Sequence, residues 1–426
     1  MVIMKLERSK GTRDFLPEEQ IARSYAVDTL KEVFELYGYS PMETPSLERF
    51  DVLSSKYTGG AEILKETFKL KDQGGRELGL RYDLTVSFAR VIGINPQLKM
   101  PFKRYEIGNV WRDGPVGLAR YRQFLQCDVD IVGSSSMLAD AELIALTDAA
   151  FKKLGFDAVI KVNNRKILND ILSYLKIKKE KLDNVMLSID KLEKFGIDTV
   201  KKELKDKKID KKIIDKLLRI IAVKGADGKK ISELKKIIKN SDGLKEMEEL
   251  LGYLKILNIN VEFDVSLSRG LSYYTGPVFE VYLKNSDVKS SVCAGGRYDK
   301  MIGALLGKGD YPATGISFGL DRLYDAYIEK KKTKQKTVTK AYIIPIGMLN
   351  EALKTAQKLR DNNIKVDIDL MQRGVSKNLN YANSMRIPYV IFIGEDEVKQ
   401  GKVKLRDMGT GEEKLISIDE VVRILR

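Results

Sequence analysis

Three arginines stand at strand or helix boundaries in separate parts of this sequence: Arg112 in VWRDG, Arg269 in LSRGLSYYTGPVFEV and Arg322 in GLDRL. A guanidinium keeps its charge at neutral pH and offers a planar fork that matches phosphate oxygens. One such arginine reads as a surface residue; three, each in a strand-rich context, suit a polyphosphate. A second set is acidic and amide. RYDLT places Asp83 and Thr85 two apart, hence on one face of an expected strand, and QCDVD does the same for Gln126, Asp128 and Asp130. Buried carboxylates on a sheet need partners. An internal salt bridge or a small cationic ligand would supply them, and the spacing leaves both open. Neither a GxxxxGK[ST] loop nor a dinucleotide glycine fingerprint occurs.

The chain contains no histidine. That excludes Ser-His-Asp triads, HExxH zinc sites and any histidine general base. Two cysteines, Cys127 and Cys293, without a CxxC pair imply no disulfide framework and fit a reducing compartment. MVIMKLERSK lacks the apolar stretch of a signal peptide, and no run long enough to span a membrane occurs, so a cytoplasmic protein is expected. The net charge of +15 over 426 residues fits a polyanionic partner or a generic lysine-rich surface.

The elements that would position these residues follow from periodicity. Residues 17–38 read as an amphipathic helix opened by Pro17 and closed by Gly38. TFKLKD, GGRELGLRYDLT, PFKRYEIGNVWRDG and RYRQFLQCDVDIVG read as an antiparallel sheet, followed by a helix over 141–155 and a strand over 157–163. Residues 171–255 carry 23 basic and 15 acidic residues at helical spacing with no proline, a helical insertion. Strands return at 261–265, 277–283 and 290–299, then a strand-to-helix stretch at 313–330 and a lysine-rich linker. From residue 341 a βαβαβ alternation argues for a small α/β domain.

These stretches resemble the histidyl-tRNA synthetases, within the class II aminoacyl-tRNA synthetases. SKGTRDFLP resembles the N-terminal segment and the METP stretch motif 1. EIGNVWRDG with RYRQFLQCDVD resembles motif 2, and ATGISFGLDRL motif 3. LSRGLSYYTG and SVCAGGRYD resemble the two histidine-specific peptides, while LRYDLTVSFAR and QCDVDIVG look like the archaeal and eukaryotic branch. The implied fold is α+β, an antiparallel-sheet catalytic core with a helical insertion and a C-terminal α/β anticodon-binding domain. The implied segments are 1–170 and 258–329 for the core, 171–257 for the insertion, 330–340 for the linker and 341–426 for the anticodon domain.

The resemblance implies roles. Arg112 and Arg269 would flank the α-phosphate of ATP and Arg322 would take the γ-phosphate, with Mg²⁺ on the outer phosphates. Asp83 and Thr85 would hold the α-amino group of histidine, and Gln126 would lie near its carboxylate and amino end. Asp130, Tyr274 and Tyr298 would line the imidazole pocket, with Tyr273 beside them as a packing residue. Arg120 and Arg122 would belong to the motif 2 loop near ATP and the acceptor end of tRNA(His). Pro45 would lie in a homodimer interface. Departures from the family pattern are Gly114 and Ser272, where acidic residues are usual, Asp321 for glutamate and Ser87 for proline. The rivals are the synthetase-like regulatory subunit of histidine biosynthesis and a class II enzyme for proline, threonine or glycine. Tyr273–Tyr274 and CAGGRYD count against the latter.

Overall fold

The computed structural model describes residues 6–55, 62–117, 121–269, 273–307, 309–330 and 335–426. The chain forms two compact units, Met1–Arg13 with Ala26–Lys330 and Asp14–Tyr25 with Lys331–Arg426.

In the first unit the strands are β1 (Ser40–Pro41), β2 (Leu47–Arg49), β3 (Lys69–Lys71), β4 (Glu77–Leu80), β5 (Phe102–Trp111), β6 (Gln123–Val132), β7 (Ala158–Asn164), β8 (Glu262–Phe263), β9 (Pro277–Leu283), β10 (Cys293–Arg297) and β11 (Ala313–Gly319). Eight of them make one sheet in the order β1-β5-β6-β11-β10-β9-β7-β8. Pairing is antiparallel except at the edges, where β1 runs parallel to β5 and β8 parallel to β7.

Alternation sorts the side chains of this sheet onto two faces. One face is apolar: Cys127, Val129 and Ile131 of β6, Phe279 and Val281 of β9, and Ile316 and Phe318 of β11 are buried together. Leu30, Val33 and Phe34 of helix Pro17–Leu36 and Leu143, Leu146 and Ala150 of helix Met137–Lys153 complete that cluster. Each large side chain so buried contributes about 1.5–3 kcal/mol. The second helix starts earlier than its periodicity predicts because Ser136 caps it, accepting from the Leu138 amide at 3.1 Å. The other face carries Arg104 and Glu106 opposite Asp130 and Asp128, with Gly315 and Ser317 beyond them.

Six helices, from Arg165–Tyr174 to Asp242–Ile256, connect β7 to its parallel neighbour β8. Parallel strands need such a crossover. In helix Lys211–Ile221, Ile214, Leu217, Leu218 and Ile221 are buried while Lys211 and Lys212 face solvent. Its apolar side joins the cluster under the sheet.

Two expectations need correction. TFKLKD and GGRELGL do not extend the large sheet; β2, β4 and β3 form a separate three-stranded one. Nor do Asp83 and Thr85 alternate on a strand. The ladder ends at Leu80, the Asp83 carboxylate accepts from the Val86 amide at 3.0 Å, and Thr85 opens helix Thr85–Ile94. An aspartate that bonds the backbone ahead of it favours a helix start over continued pairing.

The second unit contains β12 (Ala341–Pro345), β13 (Val366–Ile368), β14 (Tyr389–Ile393), β15 (Val403–Asp407) and β16 (Glu413–Ile416), ordered β13-β12-β14-β15-β16. The first three are parallel, joined by helices Leu349–Asp361 and Val375–Ser384, as the βαβαβ pattern predicts. An antiparallel hairpin and helix Ile418–Leu425, with a Ser417–Glu420 capping box, follow.

Candidate active site

The polar face of the large sheet is organised by Arg104, which is fully buried. Its guanidinium lies 2.8 Å from Asp130 and 3.3 Å from Glu106 and packs 4.2 Å from the centre of the Phe88 ring. Glu106 also accepts from Arg81 at 2.8 Å and from the amide and hydroxyl of Thr44 at 2.9 and 2.7 Å. The Tyr298 hydroxyl donates to Asp130 at 2.5 Å, and the Gln126 amide donates to Ser317 at 3.0 Å and to Asp128 at 3.3 Å.

Among the described groups of this floor, carboxylates outnumber guanidiniums. Two guanidiniums, Arg81 and Arg104, face Glu106, Asp128 and Asp130. Asp83 adds a further negative field at Asp128 and Asp130, reaching the same place from its helix start. Burial and the neighbouring Asp130 push the Asp128 carboxyl up to about 7, with Arg104 opposing. Burial raises Asp130 as well, against Arg104 and Tyr298. A cation seated here would relieve that excess. The packing is tight: a Cβ on Gly315 would fall 1.9 Å from an Asp130 oxygen, so only glycine fits opposite that carboxylate.

Arg112 and Arg269 both lie within electrostatic reach of Arg322. Burial lowers the Arg322 pKa, and the charges of Arg112 and Arg269 lower it further while Glu280 opposes. Three guanidiniums in one electrostatic neighbourhood repel one another unless an anion joins them. Arg322 donates to the Ser291 carbonyl at 2.6 Å, and Arg112 donates to the Tyr82 carbonyl at 3.1 Å and lies 5.1 Å from the Phe124 ring centre. Arg269 is paired with Glu280, whose second oxygen takes the Tyr282 hydroxyl. Burial works against the Arg269 charge, but Tyr274 and Glu280 outweigh it and its pKa is raised.

Tyr274 is buried among Phe88, Val278 and Tyr298. The Tyr273 ring centre lies 4.6 Å from that of Tyr274 and 6.2 Å from that of Tyr298, edge-on. Arg122 donates to the Gly114 carbonyl at 3.3 Å and pairs with Asp113 at 3.1 Å. Asp321 accepts from the Leu125 amide at 3.3 Å. Arg120, Gly270 and Ser272 lie outside the described residues.

Arg81, Arg104, Glu106, Glu280 and Phe124 escaped the sequence reading. For Arg104, Glu106 and Glu280 the signal was the two-residue alternation of KRYEIG and PVFEV, which marks a polar face without saying that it is buried. Among the described residues no group of three or more acidic, cysteine or histidine side chains is arranged to hold a metal ion. Among them, too, no helix is long and apolar enough to cross a membrane.

A buried floor rich in carboxylates, on the same sheet as Glu280, the partner of Arg269, and accompanied by Arg112 and Arg322, suits an enzyme that joins an amino acid to a phosphate compound. On an antiparallel sheet of this order it places the chain among the class II aminoacyl-tRNA synthetases. The family model for histidyl-tRNA synthetase matches residues 11–323, and that for an anticodon binding domain matches 340–426. The chain belongs to the histidyl-tRNA synthetase family and is an aminoacyl-tRNA ligase. Histidine--tRNA ligase 1 of Bacillus cereus ATCC 14579 is 45% identical over 99% of this chain and 100% of its own. The crystal structure of histidyl-tRNA synthetase from Nostoc sp. PCC 7120 superposes with a TM-score of 0.89 at 29% identity, covering 99% of both chains. A structure described as an ATP phosphoribosyltransferase regulatory subunit/histidyl-tRNA synthetase, from Bacillus halodurans, gives 0.75 at 25% identity over 88% of this chain and 96% of its own.

Proposed function

We propose that the chain activates L-histidine with ATP, forming histidyl-adenylate and pyrophosphate, and then transfers histidine to the 3′ end of tRNA(His). The observation that carries this reading is the pairing of a buried carboxylate-rich floor with three arginines in one electrostatic neighbourhood. Asp83, Thr85 and Gln126 receive the α-ammonium end of histidine, which supplies the missing positive charge. Asp130, fixed by Arg104 and Tyr298, accepts from the imidazole N–H, with Tyr274 closing the pocket and Tyr273 packed behind it. A side chain without hydrogen bonds would strand these buried groups, and such sites reject analogues by roughly 10⁴-fold.

A free α-carboxyl has a pKa of about 3.5, so the nucleophile is already ionised at neutral pH and this step needs no general base. The carboxylate attacks the α-phosphorus while Arg112 and Arg269 stabilise the charge that develops on its oxygens from opposite sides. For Arg269 this exchanges one anion, Glu280, for another. Arg322 holds the γ-phosphate, and Arg120 and Arg122 belong to the loop over ATP and the acceptor end. Mg²⁺, which typically takes only one or two carboxylates beside phosphate oxygens and water, would neutralise the outer phosphates, with Glu280 the carboxylate within the arginine cluster. In the second step the terminal hydroxyl of tRNA attacks the activated carbonyl, the bond from that carbonyl to the phosphate oxygen breaks, and AMP leaves carrying the proton on a phosphate oxygen.

The same reading covers assembly and partners. The enzyme works as a cytoplasmic homodimer joined around the exposed Pro45. The 341–426 domain contacts the anticodon, the 171–257 helices contact the acceptor arm, and the +15 charge makes tRNA affinity fall steeply with salt. ATP–pyrophosphate exchange with each amino acid in turn is the test. Exchange with histidine alone is expected; exchange with another amino acid, or with none, overturns the reading.

A further inference from the structure

Glu66 belongs to no strand of the large sheet. It sits in the turn after the short helix Glu62–Lys65, half-buried, and its carbonyl accepts from the Asp113 amide at 2.6 Å. Its carboxylate rests on Gly114: a Cβ at that glycine would lie 2.7 and 2.9 Å from the two Glu66 oxygens. The absence of a side chain at 114 is therefore what admits the carboxylate, and it lands two residues beyond Arg112.

The register shows what lies between this carboxylate and the histidine end of the site. Gln126 faces Gly108 and Phe124 faces Val110, so the polar face of β6 runs Asp130, Asp128, Gln126, Phe124 and on to Arg122. At about 3.3 Å per residue, Asp130 and Phe124 are roughly 20 Å apart, about the reach of an amino acid joined through phosphate to a nucleoside. With the amino acid at Asp130 and the α-phosphate at Arg112, the base falls at Phe124 and the 113–114 turn. An aromatic ring stacks on any base and does not choose among them. Choice requires a hydrogen-bonding group at the edge of the base.

We propose that Glu66 is that group. Its carboxylate accepts from the exocyclic amine of adenine and repels the carbonyl oxygen that guanine carries at the same ring position. Glu66 thus sets the base specificity of the ATP site. The proposal rests on the ligase reading above.

The test is histidine-dependent pyrophosphate exchange with ATP, GTP and the triphosphate of purine riboside, which lacks the amine. Wild type, Glu66→Met and Glu66→Gln are compared. A hydrogen bond to a charged group is worth about 1.5–3 kcal/mol, so the wild type should lose about 10- to 100-fold in kcat/KM when the amine is removed. In Glu66→Met that penalty should shrink to less than about 3-fold, with the KM for histidine unchanged. Glu66→Gln, which can donate to a carbonyl, should raise the GTP-to-ATP ratio about 10-fold. Equal losses with ATP and the amine-free analogue in Glu66→Met would reduce Glu66 to a support of the turn and overturn the proposal. So would an unchanged GTP-to-ATP ratio in Glu66→Gln. A wild type without histidine-dependent exchange would instead sink the ligase reading itself.

Discussion

The two large sheets of this chain solve opposite problems. In the second unit β12 and β14 are apolar on both sides: Ile343, Ile391 and Ile393 feed one cluster, and Tyr342, Ile344, Val390 and Phe392 feed the other. Helices cover both faces of such a parallel core, so polar groups are pushed out to loops. The Asp369 carboxylate, for instance, meets Arg373 at 3.1 Å and Asn378 at 3.0 Å beyond the end of β13. In the first unit the antiparallel sheet keeps one apolar face and devotes the other to buried ions. The difference teaches where stability and function compete. The second sheet is built without buried charge on its central strands, whereas the first holds carboxyls that burial pushes toward the neutral form.

Substitutions that break this contrast should do so in a graded way. Arg104→Met leaves Glu106 and Asp130 short of a cation and should cost about 3–5 kcal/mol in denaturant unfolding, with loss of histidine binding. A neutral effect would mean the floor is not held by charge. Arg269→Ala frees Glu280 but removes one side of the α-phosphate site. Exchange should fall about 10²- to 10³-fold, with a smaller change in the KM for histidine. An equal effect on both would place Arg269 in ground-state binding.

The acid dependence sharpens the same point. Asp128 titrates near 7 when folded, against about 3.9 in an unfolded chain, so between these values the folded state holds more protons. Its presence therefore lowers stability as pH rises from about 4 to about 7, levelling off above that, in a thermal-unfolding series. Asp128→Asn should flatten the slope, and saturating histidine should reduce it by supplying an ammonium. A slope unchanged in the variant would assign the effect to other groups. The smallest effect belongs to the second unit. Ile343→Val should cost about 0.5–1.5 kcal/mol and leave pyrophosphate exchange as it was.

What the sequence disclosed depended on range. PVFEVYL runs as a strand from its proline to its leucine, because alternation and bounding turn residues are local. The βαβαβ order was legible for the same reason. Asp83 and Thr85 misled because an aspartate that bonds the backbone just ahead of a helix leaves the same two-residue spacing as a strand. Arg104 and Glu106 were hidden because polar alternation looks alike whether a face meets solvent or a buried neighbour. A shared site for Arg112, Arg269 and Arg322 was an expectation from residue type and family resemblance, whereas the repulsion that Arg112 and Arg269 exert on Arg322 is a property of the folded chain. Glu66 could not be read at all, since its link to Gly114 joins two stretches with no shared pattern.

The alternation along β6 has a consequence for redesign. Cys127, Val129 and Ile131 hold the sheet to its helices, while Gln126, Asp128 and Asp130 line the polar face. Slipping the strand by one residue would exchange the two sets and ruin both. Rewriting only the even-numbered positions leaves the scaffold's lettering intact. The polar face of this strand is thus open to rewriting one interleaved position at a time, provided each new residue keeps Arg104 paired.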